Sequence, residues 1–206
     1  MSYKHYTNET LETFARKVIA QYDPNILYVP SRTPIEEIME KVYDLTLEYQ
    51  YIRKNGRILG ETVFEDTEIP IYDKDNKCYK IVLAKAGTVI LDASLLDKQQ
   101  DWRYIFTCAH ELAHWILDKD YFAQRGETAA LTECVAKSSC VADAVERQAN
   151  RLASCILMPK CTVKTAFYDQ RNKSSKTLQV VAGLASIYGV SRQAMEIRLE
   201  QLGLTD

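Results

Sequence analysis

Two stretches near the start of the chain carry apolar residues at helical spacing. Between residues 9 and 22, apolar side chains recur every three or four positions, which predicts an amphipathic helix that ends before Asp23-Pro24. Residues 33–36, Thr-Pro-Ile-Glu, have the pattern of a capping box with proline at the first helical position. This pattern predicts a second helix that ends near Tyr43.

The hydrophobic period then changes to the alternation of a β-strand. Residues 45–51 alternate, Asn55-Gly56 is typical of a hairpin turn, and residues 57–64 are the predicted partner strand. Two further strands, Tyr79–Ala84 and Thr88–Asp92, are predicted on either side of a short polar connection. Together these segments predict a small, mostly antiparallel sheet that follows two helices.

The second half of the chain is predicted to be mainly helical. A capping pair, Asp97 with Gln100, indicates the start of a helix that runs to about Leu117. After a polar stretch, a further helix is predicted over Val141–Leu157. The remaining residues, 160–206, are predicted to form a helical segment.

The sequence shows one domain. Because no repeat, low-complexity tract or linker divides it, we treat residues 1–206 as a single α+β domain. Within it we expect N-terminal helices over 1–44, a sheet over 45–97, two long helices over 98–159 and a helical segment over 160–206.

The predicted third helix contains the sequence His110-Glu111-Leu112-Ala113-His114. Four residues make slightly more than one helical turn, so both imidazoles leave the same face and can share one tetrahedral cation. This spacing, with glutamate after the first histidine, is the pattern of zinc peptidases. We therefore predict His110 and His114 as metal ligands and Glu111 as the catalytic base. The opposite face is apolar and is predicted to be buried: Ile105, Ala109, Leu112 and Ile116.

A catalytic zinc site takes three protein ligands and leaves a position for water. Glu146, on the next predicted helix, is the best candidate for the third ligand, and Asn150 is placed one turn later to accept the N–H of a metal-bound histidine. The His/His/Glu set favours Zn²⁺, although Mn²⁺ can also occupy such a site. Small residues on the same helix face as Glu146 predict that this helix packs closely against the helix of His110. They are Ala142, Ala149 and Ala153. Asp143 and Glu133 remain alternatives to Glu146 as the third ligand. Cys134 or Cys140 could also reach the metal as an inhibitory fourth ligand.

Substrate binding by strand addition is expected next to such a metal helix, because backbone hydrogen bonds give affinity without reading much sequence. The strand just before the helix is the candidate, with an interior strand as the alternative. Its residues are Thr88, Val89, Ile90, Leu91 and Asp92.

Charge and composition narrow the classes of function. With 26 basic and 28 acidic residues the net charge is −2, which removes a general electrostatic case for binding nucleic acid or anionic membranes. The sequence has neither a span of roughly 20 apolar residues nor the apolar core of a signal peptide. We therefore predict a cytoplasmic protein that does not bind a membrane, and whose six cysteines remain thiols.

The C-terminal segment offers a rival function. Residues 184–191 followed by Met195 match a helix-turn-helix (HTH) in spacing, which would indicate DNA binding. From Arg171 onward, five basic and three acidic residues leave a balance of only +2, which is a thin electrostatic footprint for a duplex. We therefore expect a packed helical accessory segment and do not expect nucleic acid as a partner.

Two motifs together resemble a known family. HELAHW at residues 110–115, followed by ERQANRLASCILMP at residues 146–159, is similar to the ImmA/IrrE metallopeptidases. The resemblance extends over roughly residues 45–204, and departs from the family at Leu152 and at Ser154-Cys155. It implies a gluzincin-like (zincin-fold) zinc endopeptidase whose protein substrate is an HTH transcriptional repressor on a separate chain. The alternative is a non-catalytic metal-binding regulator.

Overall fold

The computed structural model describes residues 3–96, 101–123, 139–173 and 176–204. These residues form seven α-helices and two short 3-10 helices, the latter at Pro24–Leu27 and Ala93–Leu96. The α-helices are α1 (Asn8–Tyr22), α2 (Ile35–Tyr43), α3 (Asp101–Ala123), α4 (Ser139–Leu157), α5 (Lys160–Lys173), α6 (Thr177–Tyr188) and α7 (Arg192–Gln201). Of the helices within these residues, none is long and apolar enough to cross a membrane.

The strands form two small sheets. They are β1 (Thr46–Gln50), β2 (Gly60–Thr62), β3 (Thr67–Asp73), β4 (Cys78–Ala84) and β5 (Thr88–Asp92). The first sheet has the order β1-β5-β2, in which β5 runs parallel to β1 and antiparallel to β2. The second sheet is the antiparallel pair β3-β4. The α+β prediction is confirmed, with two sheets in place of one.

The predicted hairpin between residues 45–51 and 57–64 is wrong. Asn55-Gly56 does lie in a turn, with Gly56 at φ 59°, but β5 lies between the two strands that the turn was expected to pair. Strand β3, which the hydrophobic pattern did not predict, pairs instead with β4. The physical reason is that β5 is apolar and buried on both faces, so it takes the central position of its sheet.

The helices follow the predicted periodicity, although their ends differ. The capping box before α2 is wrong, because the buried Thr33 hydroxyl donates to the Ile156 carbonyl oxygen at 3.0 Å instead of capping the helix. Helix α3 extends to Ala123, six residues past the expected Leu117. Its predicted capping pair, Asp97 with Gln100, lies outside the described residues.

Helices α3 and α4 pack closely through small and apolar side chains. Ala149 and Ala153 of α4 are fully buried in the main core together with Ala109 and Leu112 of α3. This agrees with the predicted small-residue face, of which the Ala142 side chain lies outside the described part. Because small residues let two helix axes approach each other, side chains that project beside this contact are brought within reach of one another.

The C-terminal helices are part of the main core. Helix α6 ends at Gly189, which has the left-handed conformation at φ 66°, and α7 begins after the capping side chain of Ser191. Leu184, Tyr188 and Met195 are fully buried. The segment predicted to be an accessory therefore contributes directly to the packing that supports α4.

Helix α7 is held by a buried ion pair with α1. Arg198 is fully buried, and its guanidinium donates to both carboxylate oxygens of Glu12, at 2.7 and 3.0 Å. Its Nε donates to the carbonyl oxygen of Met158 at 2.9 Å, at the end of α4. One arginine side chain thus joins three helices.

We expect Glu12→Gln to lower the free energy of unfolding by about 3 kcal/mol, because it leaves the Arg198 charge buried without its carboxylate. Urea denaturation monitored by circular dichroism measures this change. Glu9→Gln, an exposed position on the same helix, is the control. Equal stability of the two variants would show that the ion pair is not essential to the fold.

Candidate metal centre

Three side chains from two helices converge at one point. The Nε2 atoms of His110 and His114 on α3 lie 2.9 Å apart. The Glu146 carboxylate on α4 approaches them, with Oε2 at 3.3 Å from His110 Nε2 and Oε1 at 3.6 Å from His114 Nε2. Within the described residues, these three form a group whose potential ligand atoms all lie within 4.8 Å of one another.

The donor set fits one divalent ion. In a tetrahedral zinc site the bonds are about 2.0–2.1 Å, so neighbouring ligand atoms are separated by about 3.3 Å. Of the three observed separations, one equals that value and the other two, at 2.9 and 3.6 Å, lie on either side of it. Two imidazole nitrogens and one carboxylate also leave a coordination position for water, as catalytic zinc sites do.

A buried carboxylate orients one of the histidines. His114 Nδ1 donates to Asp118 Oδ2 at 2.7 Å, which leaves the lone pair of Nε2 directed at the cluster. Asp118 also accepts from the Tyr3 hydroxyl at 2.6 Å, and Gln148 Nε2 donates to the Tyr3 oxygen at 3.0 Å. Burial and the negative charge of Asp118 raise the pKa of Tyr3 well above its ordinary value, so the phenol remains a donor.

The prediction that Asn150 fills this orienting role is wrong. Asn150 is exposed and lines a neighbouring groove, whereas Asp118 bonds the imidazole. The sequence held a signal for Asp118, since it follows His114 by four residues on the same helical face. The helix was predicted to end at about Leu117, one residue before Asp118.

Electrostatic interactions in the cluster favour a cation. Burial lowers the pKa of His114, but the hydrogen bond to Asp118 and the neighbouring carboxylates outweigh it, so the pKa is raised. Burial raises the pKa of Glu146, but the hydrogen bond from His110 and the charges of both imidazoles outweigh it, so the pKa is lowered. The raised pKa of His114 indicates that negative charge surrounds its imidazole, and the lowered pKa of Glu146 indicates that its carboxylate stays ionised; both favour a positive ion at this point.

The side chain of Glu111, on α3, is held against the edge strand β2. It is almost fully buried, and its Oε2 accepts from the Thr62 hydroxyl of β2 at 2.7 Å. Gly60 of the same strand lies so close that a Cβ atom there would be 2.3 Å from Glu111 Oε1. Sequence reasoning placed both residues on a strand but assigned neither a role, because the contact between β2 and α3 is not local.

A cavity of about 260 Å³ opens beside the cluster. Residues 57–61, which lead into β2, form one wall, and α3 forms another. The cavity lining also contains four of the predicted site residues: His110, Glu111, His114 and Glu146. The candidate ligands and the predicted base therefore share one accessible space.

The prediction that Thr88–Asp92 binds substrate by strand addition is wrong. This strand is β5, which is hydrogen-bonded to β1 on one side and to β2 on the other. All five residues are buried. An added strand needs an unpaired edge, and β5 has none.

Of the alternative ligands that the sequence left open, the structure describes the side chain of only one. Asp143 is exposed and does not belong to the cluster. Glu133, Cys134 and the side chain of Cys140 lie outside the described residues. Of the candidates that can be compared, Glu146 is the one that approaches the two histidines.

Comparison with known families identifies the domain. A family model for peptidase M78, described as an IrrE N-terminal-like domain, matches residues 66–200. The chain belongs to this family. The M78 match confirms the resemblance to ImmA/IrrE proteins and assigns the chain to a metallopeptidase family. A comparison with curated proteins gives no match.

The M78 match begins after β2. It includes α3 and α4, which carry the candidate ligands, and the C-terminal helices, but Gly60 and Thr62, which contact Glu111, lie before it. Tyr3, which contacts Asp118, also lies before it. Residues outside the matched region therefore contribute contacts to the centre of this M78 domain.

We expect Asp118→Asn to weaken metal binding about tenfold, because the neutral amide supports the His114 imidazole less well than a carboxylate does. Competition with a fluorescent chelator measures the affinity. Asp120→Asn, an exposed position on the same helix, is the matched control and should leave it unchanged. Equal affinities of the two variants would exclude an orienting role for Asp118.

Proposed function

We propose that this chain is a zinc-dependent endopeptidase that cleaves a specific peptide bond in a protein substrate. The observation that carries the proposal is the convergence of His110, His114 and Glu146 beside a buried Glu111, all facing one cavity. A purely structural metal site does not require a further carboxyl group such as Glu111, which is not among the candidate ligands and is held in place by Thr62. The M78 family supports the same reaction class.

In the proposed hydrolysis, a bound zinc ion and Glu111 have separate roles. Zinc bound by the His/His/Glu set would polarise the scissile carbonyl and make water more acidic. Glu111 takes a proton from the attacking water and passes it to the leaving amine. The Thr62 hydroxyl holds one oxygen of the Glu111 carboxylate, which limits its rotation and keeps it facing the cavity.

The edge of β2 is our candidate for backbone recognition of the substrate. In the described part of its sheet, β2 is paired with β5 on one side only. The residues that lead into it line the same cavity as the histidines. A substrate segment that adds as a strand along this edge passes directly over the ligand cluster.

The proposed substrate is an HTH repressor on a separate chain, which rests on the ImmA/IrrE resemblance. Cleavage in the cytoplasm agrees with four described cysteines that are free thiols: Cys78, Cys108, Cys155 and Cys161. The DNA-binding alternative has less support, because the exposed face of α7 carries Arg192 together with Glu196 and Glu200. Mixed charge on a recognition helix does not neutralise phosphates.

We expect Glu111→Gln to retain one metal ion per chain and to lose cleavage by at least about a hundredfold, because the amide cannot accept the proton. Glu146→Gln should instead lower the bound metal, measured by atomic absorption. Cleavage is followed by electrophoresis with candidate repressors and with casein. Normal turnover by the metal-loaded Glu111→Gln protein would contradict the peptidase assignment.

We expect Gly60→Ala to lower kcat by about a hundredfold at unchanged metal content, because the added methyl group displaces the Glu111 carboxylate. Steady-state kinetics and atomic absorption test the two halves of this prediction. Loss of metal together with activity would mean that the substitution disturbs the helix rather than the base.

A further inference from the structure

A groove of about 680 Å³ continues from the metal cavity toward the C-terminal helices. The two spaces share the lining residues Leu59, Phe106 and Thr107, so they form one continuous surface. From there the groove runs between α3 and α4 to Val190 and to the first turns of α7. It is much larger than the cavity at the ligands, and the cleavage chemistry does not use it.

The groove has an apolar lining that remains accessible. Trp102 of α3 is 44% exposed and Ile197 of α7 is 45% exposed, although both are large apolar side chains. Phe106, Val190 and Ala194 extend the apolar surface between them. A concave apolar surface next to a reaction centre is typical of a site that receives an apolar side chain.

The charge of the groove is positive, in contrast to the chain as a whole. The described residues that line it include Arg103, Arg147 and Arg151 but no aspartate or glutamate, whereas the net charge of the chain is −2. Arg147 is exposed, and it follows the metal ligand Glu146 directly in α4. The first residues of α7 also reach the groove with the positive end of the helix dipole. This arrangement is complementary to an acidic ligand.

The position of the groove relative to β2 indicates which side of the scissile bond it would bind. Leu59, directly before β2, lies at the junction with the groove, whereas Gly60 and Thr62 within the strand both lie against Glu111. A substrate that adds antiparallel to β2 passes Glu111 first and Leu59 afterwards. Its residues after the scissile bond then enter the groove.

We propose that this groove binds the substrate segment that follows the scissile bond, and that it selects a large apolar side chain next to an acidic one. The inference rests on the proposed peptidase function and adds a specificity to it. Trp102, Phe106 and Ile197 contact the apolar side chain. Arg147 pairs with the acidic side chain, and Arg151 adds to the positive potential although Glu12 lies near it.

The test measures binding separately from cleavage. Fluorescein-labelled peptides that carry leucine followed by glutamate, glutamine or lysine are titrated against the metal-loaded Glu111→Gln protein, and anisotropy reports the affinity. We expect the glutamate peptide to bind about tenfold more tightly than the lysine peptide. Arg147→Glu should reverse this order, and Ile197→Ser should weaken all three peptides about tenfold.

Matched variants separate a local effect from a general one. Arg16→Glu makes the same charge change at an exposed position of α1, and Leu178→Ser removes an apolar side chain that is 78% exposed on α6. Neither position lines the groove, so both variants should bind the peptides as the parent protein does. Equal binding of the three peptides, or an equal effect of Arg16→Glu and Arg147→Glu, would overturn the proposal.

Cleavage of a mixed peptide library by the metal-loaded wild-type chain, read by mass spectrometry, distinguishes the two proposals. Enrichment of apolar and acidic residues after the cut supports the groove assignment. Cleavage without such enrichment overturns the groove assignment and leaves the peptidase intact. Charge-dependent binding without cleavage of any library member or repressor would retain the ligand preference of the groove but overturn both the peptidase function and the position of the groove after a scissile bond.

Discussion

The close packing of α3 against α4 is the contact on which the centre depends. The two histidines share a face because they lie four residues apart on one helix, but the third ligand comes from a different helix. The fully buried Ala149 and Ala153 allow that helix to approach, and Glu146 then reaches both imidazoles at 3.3 and 3.6 Å. A larger side chain in this interface would separate the helices by more than the ligand geometry tolerates.

Buried polar groups around the centre are paired with partners from distant parts of the chain. Asp118 accepts from both His114 and Tyr3, and Gln148 holds the N-terminal segment through Tyr3 and the Lys4 carbonyl oxygen. An uncompensated carboxylate at this depth would be costly, so each added donor lowers the cost of keeping a negative charge behind the imidazole. The N-terminal segment therefore supports the candidate metal centre, because Tyr3 bonds the carboxylate that orients His114.

The C-terminal helices stabilise the fold and also line the groove that we propose as a substrate site. Arg198 fixes α7 to α1 and to the end of α4, while the exposed side of α7 forms a wall of the large groove. The same helix thus has a buried face that completes the core and an exposed face that is available to a ligand. The segment with helix-turn-helix spacing therefore lies within the region that matches the M78 family and packs into its core.

Local periodicity determined the helices, the relation of His110 and His114, and the candidacy of Glu146, because a helix places residues three and four positions apart on one face whatever surrounds it. The order β1-β5-β2, and with it the burial of Thr88–Asp92, was decided only by tertiary structure, since alternation marks a strand but does not choose its partner. The contacts of Gly60 and Thr62 with Glu111, and of Tyr3 with Asp118, likewise join residues far apart in the chain. Such contacts leave no short-range pattern, so the sequence by itself predicted the ligands and the base, whereas the fold chose the groups that hold them in place.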